Sequence, residues 1–214
     1  MNKTHIAALR QSYTRNELLE ENVLTNPYEQ FGKWFEEALN AQILEPNAMT
    51  LSTISGGRAH GRVVLLKGFD QNGFTFYTNY RSNKGNQIAE VPFVSLTFLW
   101  GELERQVRIE GSIEKVSEAE SDAYFHSRPR GSQIGAWVSD QSSVITSREV
   151  LENRLAELET KFKDLEVIPR PAHWGGYCVI PERIEFWQGR ANRLHDRILF
   201  TKDAENWKIE RLSP

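Results

Sequence analysis

Between Ala48 and Val116 the apolar residues stop following a helical spacing, and this change of period constrains the fold more than any other feature. Five stretches, Ala48–Ile54, Arg62–Phe69, Phe74–Thr78, Phe93–Trp100 and Gln106–Val116, are rich in β-branched and aromatic residues. Turn chemistry divides them at Ser55-Gly56-Gly57, at Asp70-Gln71-Asn72-Gly73 and at Gly101. Strands joined by such short connections predict an antiparallel meander closing toward a barrel. Helices flank this region. Asn26-Pro27 followed by Glu29 reads as an N-cap, a first-turn proline and a first-turn acid. Tyr28, Phe31, Trp34, Phe35, Leu39 and Ile43 then recur at helical spacing. Ser117 and Glu120 form a capping box that opens a helix through about Phe125, and Arg148–Phe162 reads as another helix.

A linker at 164–173, with Pro169 and Pro171, returns the chain to strands at Gly176–Val179, Ile184–Trp187, Arg197–Thr201 and Trp207–Leu212. The expectation is one α+β domain over residues 1–214, a β-barrel core with helices packed around it. Within it lie an N-terminal helical segment (1–47) and a C-terminal strand section (174–214).

Composition narrows the function. A net charge of −3 argues against binding nucleic acid through bulk charge. No apolar run approaches the roughly 18 residues of a membrane span, and the polar N-terminal segment has no signal-peptide core. Cys178 is the only cysteine, so neither a disulfide nor a thiolate cluster is expected within the chain. A cytoplasmic, metal-free protein is the expectation. Dinucleotide, P-loop, zinc-protease and serine-hydrolase motifs are all missing. A nucleotide-type ligand would have to be held by side chains from strands and helices.

Three patterns offer such side chains. Arg193, His195 and Arg197 would share one face of an extended strand, placing an imidazole between two guanidiniums; a charge-blunted edge strand shows the same pattern. Tyr124 and Arg128 fall four apart at a helix end ahead of Ser132, which suits a phosphate clamp or mere helix covering. Arg62 and Lys67 bracket Val63-Val64-Leu65-Leu66. Their odd separation sends them to opposite faces of a straight strand, so they could serve different ligands. Tyr77-Thr78 ends a strand before Ser82-Asn83-Lys84, which opens a short helix able to hold an anion. Gln106, Gln141, Ser142 and Trp187 add groups of the kind that read a planar heterocycle's edge.

The stretches RVVLLKGFD, FYTNY, ERQVRIEG, YFHSRPRGSQIGAWVSDQSS, WGGY, IEFWQG, NRLHDRILF and ERLSP, in this order, closely resemble the pyridoxine 5′-phosphate oxidase family along nearly the whole chain. The resemblance implies a split β-barrel homodimer with two FMN sites at the subunit interface, each built from both chains. It implies that Arg62 and Lys84 hold the FMN phosphate and that Arg62, Val63, Val64 and Leu65 run along the flavin. Lys67 would stand at the flavin's substrate side, and Tyr77, Thr78, Gln106, Gln141, Ser142, Trp187 and Arg197 would complete the cofactor site. Lys67, Tyr124, Arg128 and Ser132 would take the substrate phosphate. Arg193 and His195 would lie against the pyridine ring, and Arg10 and Tyr13 would belong to a segment closing over the substrate.

The implied reaction oxidises pyridoxine or pyridoxamine 5′-phosphate to pyridoxal 5′-phosphate, with transfer from C4′ to flavin N5 and reoxidation by O₂ to give H₂O₂. One departure from the pattern stands out: Ser82-Asn83-Lys84 replaces the family's common Ser-Arg-Lys, which removes a phosphate cation unless Arg81 substitutes. Two other readings compete: a split-barrel flavin reductase or oxidase with another substrate, and a non-catalytic flavin or pyridoxal phosphate carrier.

Overall fold

Residues 3–9 and 12–214 are described by a computed structural model. In chain order the elements are α1 (Lys3–Ala7), α2 (Pro27–Asn40), β1 (Ala48–Ser55), β2 (Arg58–Leu65), β3 (Gly68–Asp70), β4 (Gly73–Asn79) and α3 (Asn83–Glu90). They continue with β5 (Phe93–Trp100), β6 (Arg105–Lys115), α4 (Glu118–Ser127), α5 (Arg130–Val138), α6 (Glu149–Phe162), β7 (Trp174–Gln188), β8 (Asp196–Asp203) and β9 (Asn206–Arg211). Among the described residues no helix is long and apolar enough to cross a membrane.

The strands run in the order β2-β1-β5-β6-β7-β4-β3, with β8 on β7 and β9 on β8. The expected meander is therefore broken after β4. Helix α3 carries the chain away, and β4 pairs antiparallel with the first half of β7, Phe74 opposite Val179 and Asn79 opposite Trp174. The two short strands expected at 176–179 and 184–187 are one strand. Its second half, Arg183 to Gln188, pairs with β8, and Pro181 falls between the two registers. The strand expected over Arg62–Phe69 starts earlier, at Arg58, because Gly56 and Gly57 both take positive φ and form the tight turn a hairpin needs. It also ends at Leu65, and the chain resumes pairing as β3 at Gly68.

The chain forms two compact units, one of residues up to 50 with 95–110 and 181–214, the other of 51–94 with 111–180. In the first, Asn26 caps α2 by accepting from the Tyr28 N–H, as its sequence position predicts. That helix buries Phe31 and Trp34. Phe31 packs edge-on to Phe98, Trp34 edge-on to Phe186, and Phe186 edge-on to Phe200. Arg105 is buried here with its charge answered threefold. Its Nε donates to Gln188 Oε1 at 2.9 Å, Nη1 pairs with Glu37, and Cζ lies 4.3 Å over the Trp34 ring.

In the second unit, Phe125, Ile134, Val138, Phe162, Ile168 and Trp174 form one buried cluster. Helix α5 was not anticipated from the sequence. Gly131 and Gly135 weaken its propensity, yet Ile134 and Val138, one helical turn apart, bury together in that cluster and hold it. Phe186 is fully buried between two aromatic partners. Phe186→Ala is expected to lower unfolding free energy by about 3–5 kcal/mol, read by urea titration followed by intrinsic fluorescence. A loss below about 1 kcal/mol would remove this ring from the core.

Candidate active site

The second unit carries a cleft of about 670 Å³. One wall is the strand β2, whose Val63, Val64 and Leu65 line the cleft; Lys67 follows just beyond its end. At one side sit Thr78, Lys84 and Gln141. Ser82 caps α3 by accepting from the Gly85 N–H, and this sets Lys84 in the helix's first turn. Lys84 Nζ donates to Gln141 Oε1 at 2.7 Å, and the Thr78 hydroxyl donates to the same oxygen at 3.3 Å. The Asn83 N–H donates to Ser142 Oγ, and Ser142 itself holds φ +76°, a conformation that costs an L residue about 1–3 kcal/mol.

Arg62 donates to Leu51 O, Thr53 Oγ1 and Gln87 Oε1 at 2.6–3.1 Å. Burial lowers the pKa of Arg62; burial and the nearby Arg62 charge lower that of Lys84. Neither cation appears in an ion pair among the described residues. Neutral oxygens alone hold them, and the pair keeps its charge for an incoming anion.

At another part of the cleft stand Tyr124, Arg128 and Ser132, with Tyr77 and Trp174. The helix expected through about Phe125 ends at Ser127, and Arg128 is its extended C-cap; Ser132 lies in the first turn of α5. Tyr77 stacks on Tyr124 with ring centroids 3.8 Å apart, and Tyr124 and Trp174 are parallel to within 4°. The Arg128 guanidinium carbon lies 4.5 Å over the Trp174 ring. Among the described residues Arg128 Nη1 is the buried side-chain polar atom left without a hydrogen-bond partner. Arg128 lines the cleft, and an anion bound there is one partner that a buried, unpaired donor of this side chain could take. Burial also pushes the Tyr77 phenol well above its ordinary pKa, with Glu120 adding to the shift, so it serves as a neutral group.

The first unit has its own cleft, about 730 Å³, lined by Tyr13, Trp187, Arg193 and His195 among others. Here the sequence expectation of an alternating strand face fails. Asn192 and Arg193 both take positive φ in a short 3-10 turn, and β8 begins only at Asp196. Arg193 and His195 therefore reach this cleft from a turn, whereas Arg197 projects from β8.

His195 packs against Trp187, with ring centroids 4.6 Å apart, and against Tyr13 at 5.7 Å. Gly189 permits the approach of Tyr13; a Cβ there would stand 2.7 Å from the Tyr13 ring. His195 Nδ1 accepts the Arg190 backbone N–H at 3.1 Å, which leaves the proton of the neutral ring on Nε2. Burial and then the Arg193 charge lower its pKa.

Arg197 is held by both oxygens of Glu185 and donates to Ser213 O. Gln106 is half-buried on β6 in the same unit. Arg10 lies outside the described residues. Residue patterns assigned no role to Trp174, Thr53 or Gln87. Trp174 entered only within the WGGY stretch of the family resemblance; in the structure a Cβ on the neighbouring Gly176 would stand 2.7 Å from the Tyr77 ring.

The fold is that of the α+β split-barrel flavoproteins. The structure superposes on the Burkholderia lata PhzG crystal structure in complex with tetrahydrophenazine-1-carboxylic acid with a TM-score of 0.86, at 29% identity, covering 94% of this chain and 100% of that one. It also resembles a pyridoxamine 5′-phosphate oxidase-related, FMN binding protein from Nostoc punctiforme, with a TM-score of 0.71 at 17% identity, covering 90% and 100%. Residues 35–162 match the pyridoxamine 5′-phosphate oxidase family, and residues 174–214 match the pyridoxine 5′-phosphate oxidase C-terminal dimerisation region. The pyridoxine/pyridoxamine 5′-phosphate oxidase of Gloeothece citriformis is 60% identical over 211 residues, 98% of each chain. The chain belongs to the pyridoxine/pyridoxamine 5′-phosphate oxidase family.

The lowered His195 pKa has a direct check. In a heteronuclear NMR titration Arg193→Ala is expected to move the His195 midpoint up toward the ordinary histidine value, because a neighbouring positive charge is removed. An unchanged midpoint would exclude Arg193 from the imidazole's electrostatic surroundings.

Proposed function

We propose that the protein oxidises pyridoxine and pyridoxamine 5′-phosphate to pyridoxal 5′-phosphate with bound FMN, as a homodimer whose sites draw on both chains. The observation carrying this reading is that Lys84 and Arg128, two cations without carboxylate partners among the described residues, line one cleft, with Arg62 near Lys84. Arg62 with Lys84, and separately Arg128, are desolvated cations without carboxylate partners among the described residues. Two such places beside the apolar Val63–Leu65 wall fit two phosphate esters, one of the flavin and one of the substrate. The donor chemistry suits FMN: Arg62 and Lys84 would take its phosphate, and Tyr77, Thr78, Gln106, Gln141, Ser142, Trp187 and Arg197 would complete the flavin site.

FMN held by these residues would supply a two-electron acceptor that O₂ can reoxidise with release of H₂O₂. The side chains provide position and charge. Arg128, with Lys67, Tyr124 and Ser132, would fix the substrate phosphate, so that the C4′ carbon is presented at a set distance and the gain is one of proximity. Arg193 would pin the pyridine ring. His195, with its proton on Nε2, would act as a donor and assist without being an obligatory base. Arg10 and Tyr13 would close over the substrate.

PhzG, crystallised in complex with tetrahydrophenazine-1-carboxylic acid, marks a second reading, a related flavin oxidase for an unphosphorylated ring. The unpartnered Arg128 Nη1 favours the phosphorylated substrate over it.

The purified protein is expected to be yellow and to release H₂O₂ when given pyridoxine 5′-phosphate under air. Arg128→Ala is expected to raise KM at least tenfold while retaining FMN, and Lys84→Ala to lose FMN while regaining part of its activity in excess cofactor. Absence of H₂O₂ from the FMN-loaded protein with either phosphorylated substrate would refute the proposed reaction. Arg193→Ala should slow turnover and leave the protein yellow, whereas Arg197→Ala should weaken FMN retention.

The Asn83 departure yields a further expectation. Asn83→Arg should tighten FMN binding, because a charge-assisted bond to a phosphate contributes about 1.5–3 kcal/mol. FMN titration of wild type, Asn83→Arg and Arg81→Ala decides the matter. If neither substitution changes affinity, neither side chain reaches the phosphate.

A further inference from the structure

Arg128 differs from the other deeply placed arginines of this chain in what holds it. Arg105, Arg170 and Arg197 are each tied to carboxylates: Arg105 to Glu37, Arg170 to Asp122 and Glu118, and Arg197 to Glu185. The guanidinium of Arg128 has no such partner among the described residues. It lies 4.5 Å over the Trp174 indole, with the Phe125 ring at 5.8 Å, and its Nη1 is buried and unbonded.

The difference has a chemical consequence. A carboxylate orients a guanidinium but occupies its donors and cancels its charge, so an incoming anion must displace it. An aromatic face attracts the same cation through its quadrupole, leaves the in-plane N–H groups free and removes no charge. For a side chain that must wait charged for a phosphate, the ring is the better support.

Trp174 is built to give that support. It is buried, parallel to Tyr124 and to within 14° of Tyr77, so the three rings form one stack. Its position is fixed from behind. Arg170 donates to the Trp174 backbone carbonyl and pairs with Asp122 and Glu118, both on α4, the helix that carries Tyr124 and ends at Arg128. The Trp174 N–H in turn donates to Pro171 O.

We infer that Trp174 is a positioning residue for the substrate-phosphate clamp, its indole aligning Tyr124 and carrying the Arg128 guanidinium without neutralising it. This deepens the proposed function and rests on it for the identity of the anion. The expected signature is a loss of phosphate affinity that follows the aromatic face and leaves cofactor retention intact.

The test uses the FMN-loaded protein and three variants: Trp174→Leu, which removes the face, Trp174→Phe, which restores one, and Arg128→Ala. Calorimetry measures the Kd of inorganic phosphate and of pyridoxal 5′-phosphate, and steady-state assays with pyridoxine 5′-phosphate separate KM from kcat. Trp174→Leu is expected to weaken both ligands about five- to tenfold and to raise KM by more than it lowers kcat, with FMN content unchanged. Trp174→Phe is expected to stay within about threefold of wild type.

A folded, yellow Trp174→Leu protein with wild-type Kd values would overturn the inference. So would a Trp174→Phe protein as weak as Trp174→Leu, since packing volume and not the ring face would then be at issue. Should Trp174→Leu fail to fold, Trp174→Phe against Trp174→Met gives the same comparison with smaller loss of volume. The binding measurements need no turnover. A wild type that binds phosphate through Arg128 but oxidises nothing would reject the proposed reaction and leave the platform standing. Phosphate binding indifferent to Arg128→Ala would reject the clamp and the platform together.

Discussion

Removing a guanidinium or an ammonium from water costs several kcal/mol unless protein groups replace the lost solvation, and much of this structure is arranged around that cost. Most of the semi-buried arginines meet it with carboxylates. Arg211 is the fullest case: Glu20 binds it through both oxygens, Asp196 and Leu18 O take further donors, and its pKa rises accordingly. Such pairs hold segments of chain together and leave little charge for a ligand. Arg62, Lys84 and Arg128 meet the cost with neutral oxygens or with a ring face, and burial lowers the pKa of each. Cations held in this way keep their charge for an anion; Lys84 and Arg128 line one cleft, and Arg62 stands near Lys84.

Holding such groups in place demands a firm surround, and backbone carbonyls at the end of α6 and in the 164–173 linker supply part of it. His126 Nε2 donates to Ile168 O, Trp137 Nε1 donates to Pro169 O, and Arg130 donates to Phe162 O and Leu165 O. Helices α4 and α5 are thus tied to the end of α6 and to the irregular segment that follows it. Glycine has a matching role on β7, where Gly175 lets the Tyr80 hydroxyl come close enough that a Cβ would collide with it at 2.2 Å. Its neighbour Gly176 makes room for the Tyr77 ring, 2.7 Å from where a Cβ would stand, and Tyr77 belongs to the stack with Tyr124 and Trp174.

The cleft of the first unit works through backbone conformation more than charge. Two successive residues in the left-handed region turn the chain before β8, and the turn presents Arg193 and His195. The Arg190 N–H occupies His195 Nδ1 and so selects the tautomer with its proton on Nε2. Residues chosen only for their place in the sequence acquire a defined donor direction through one backbone bond.

Much of this was legible in the sequence. The Asn26 cap, the Ser117 capping box and the Ser82 cap are local, because each is a side chain reaching a backbone N–H within three residues. The β-rich stretches and their turns were likewise readable, and the order of motifs pointed to the family. The sequence by itself determined which residue types were available for phosphate and ring recognition. It could not decide the partner of β4, the continuity of β7 across Pro181, the helix at Arg130–Val138 or the turn that breaks the Arg193–Arg197 face. Each of those depends on contacts between residues far apart in the chain: β4 with a strand a hundred residues on, Ile134 and Val138 with Phe162, Ile168 and Trp174. Local propensities differ by less than about 1 kcal/mol per residue, whereas burying one large side chain contributes about 1.5–3 kcal/mol, so tertiary packing overrides them. The same reason explains why the sequence left Tyr124, Arg128 and Ser132 open between a phosphate clamp and mere helix covering. Only the folded chain brings Trp174 beneath Arg128 and leaves its Nη1 without a partner.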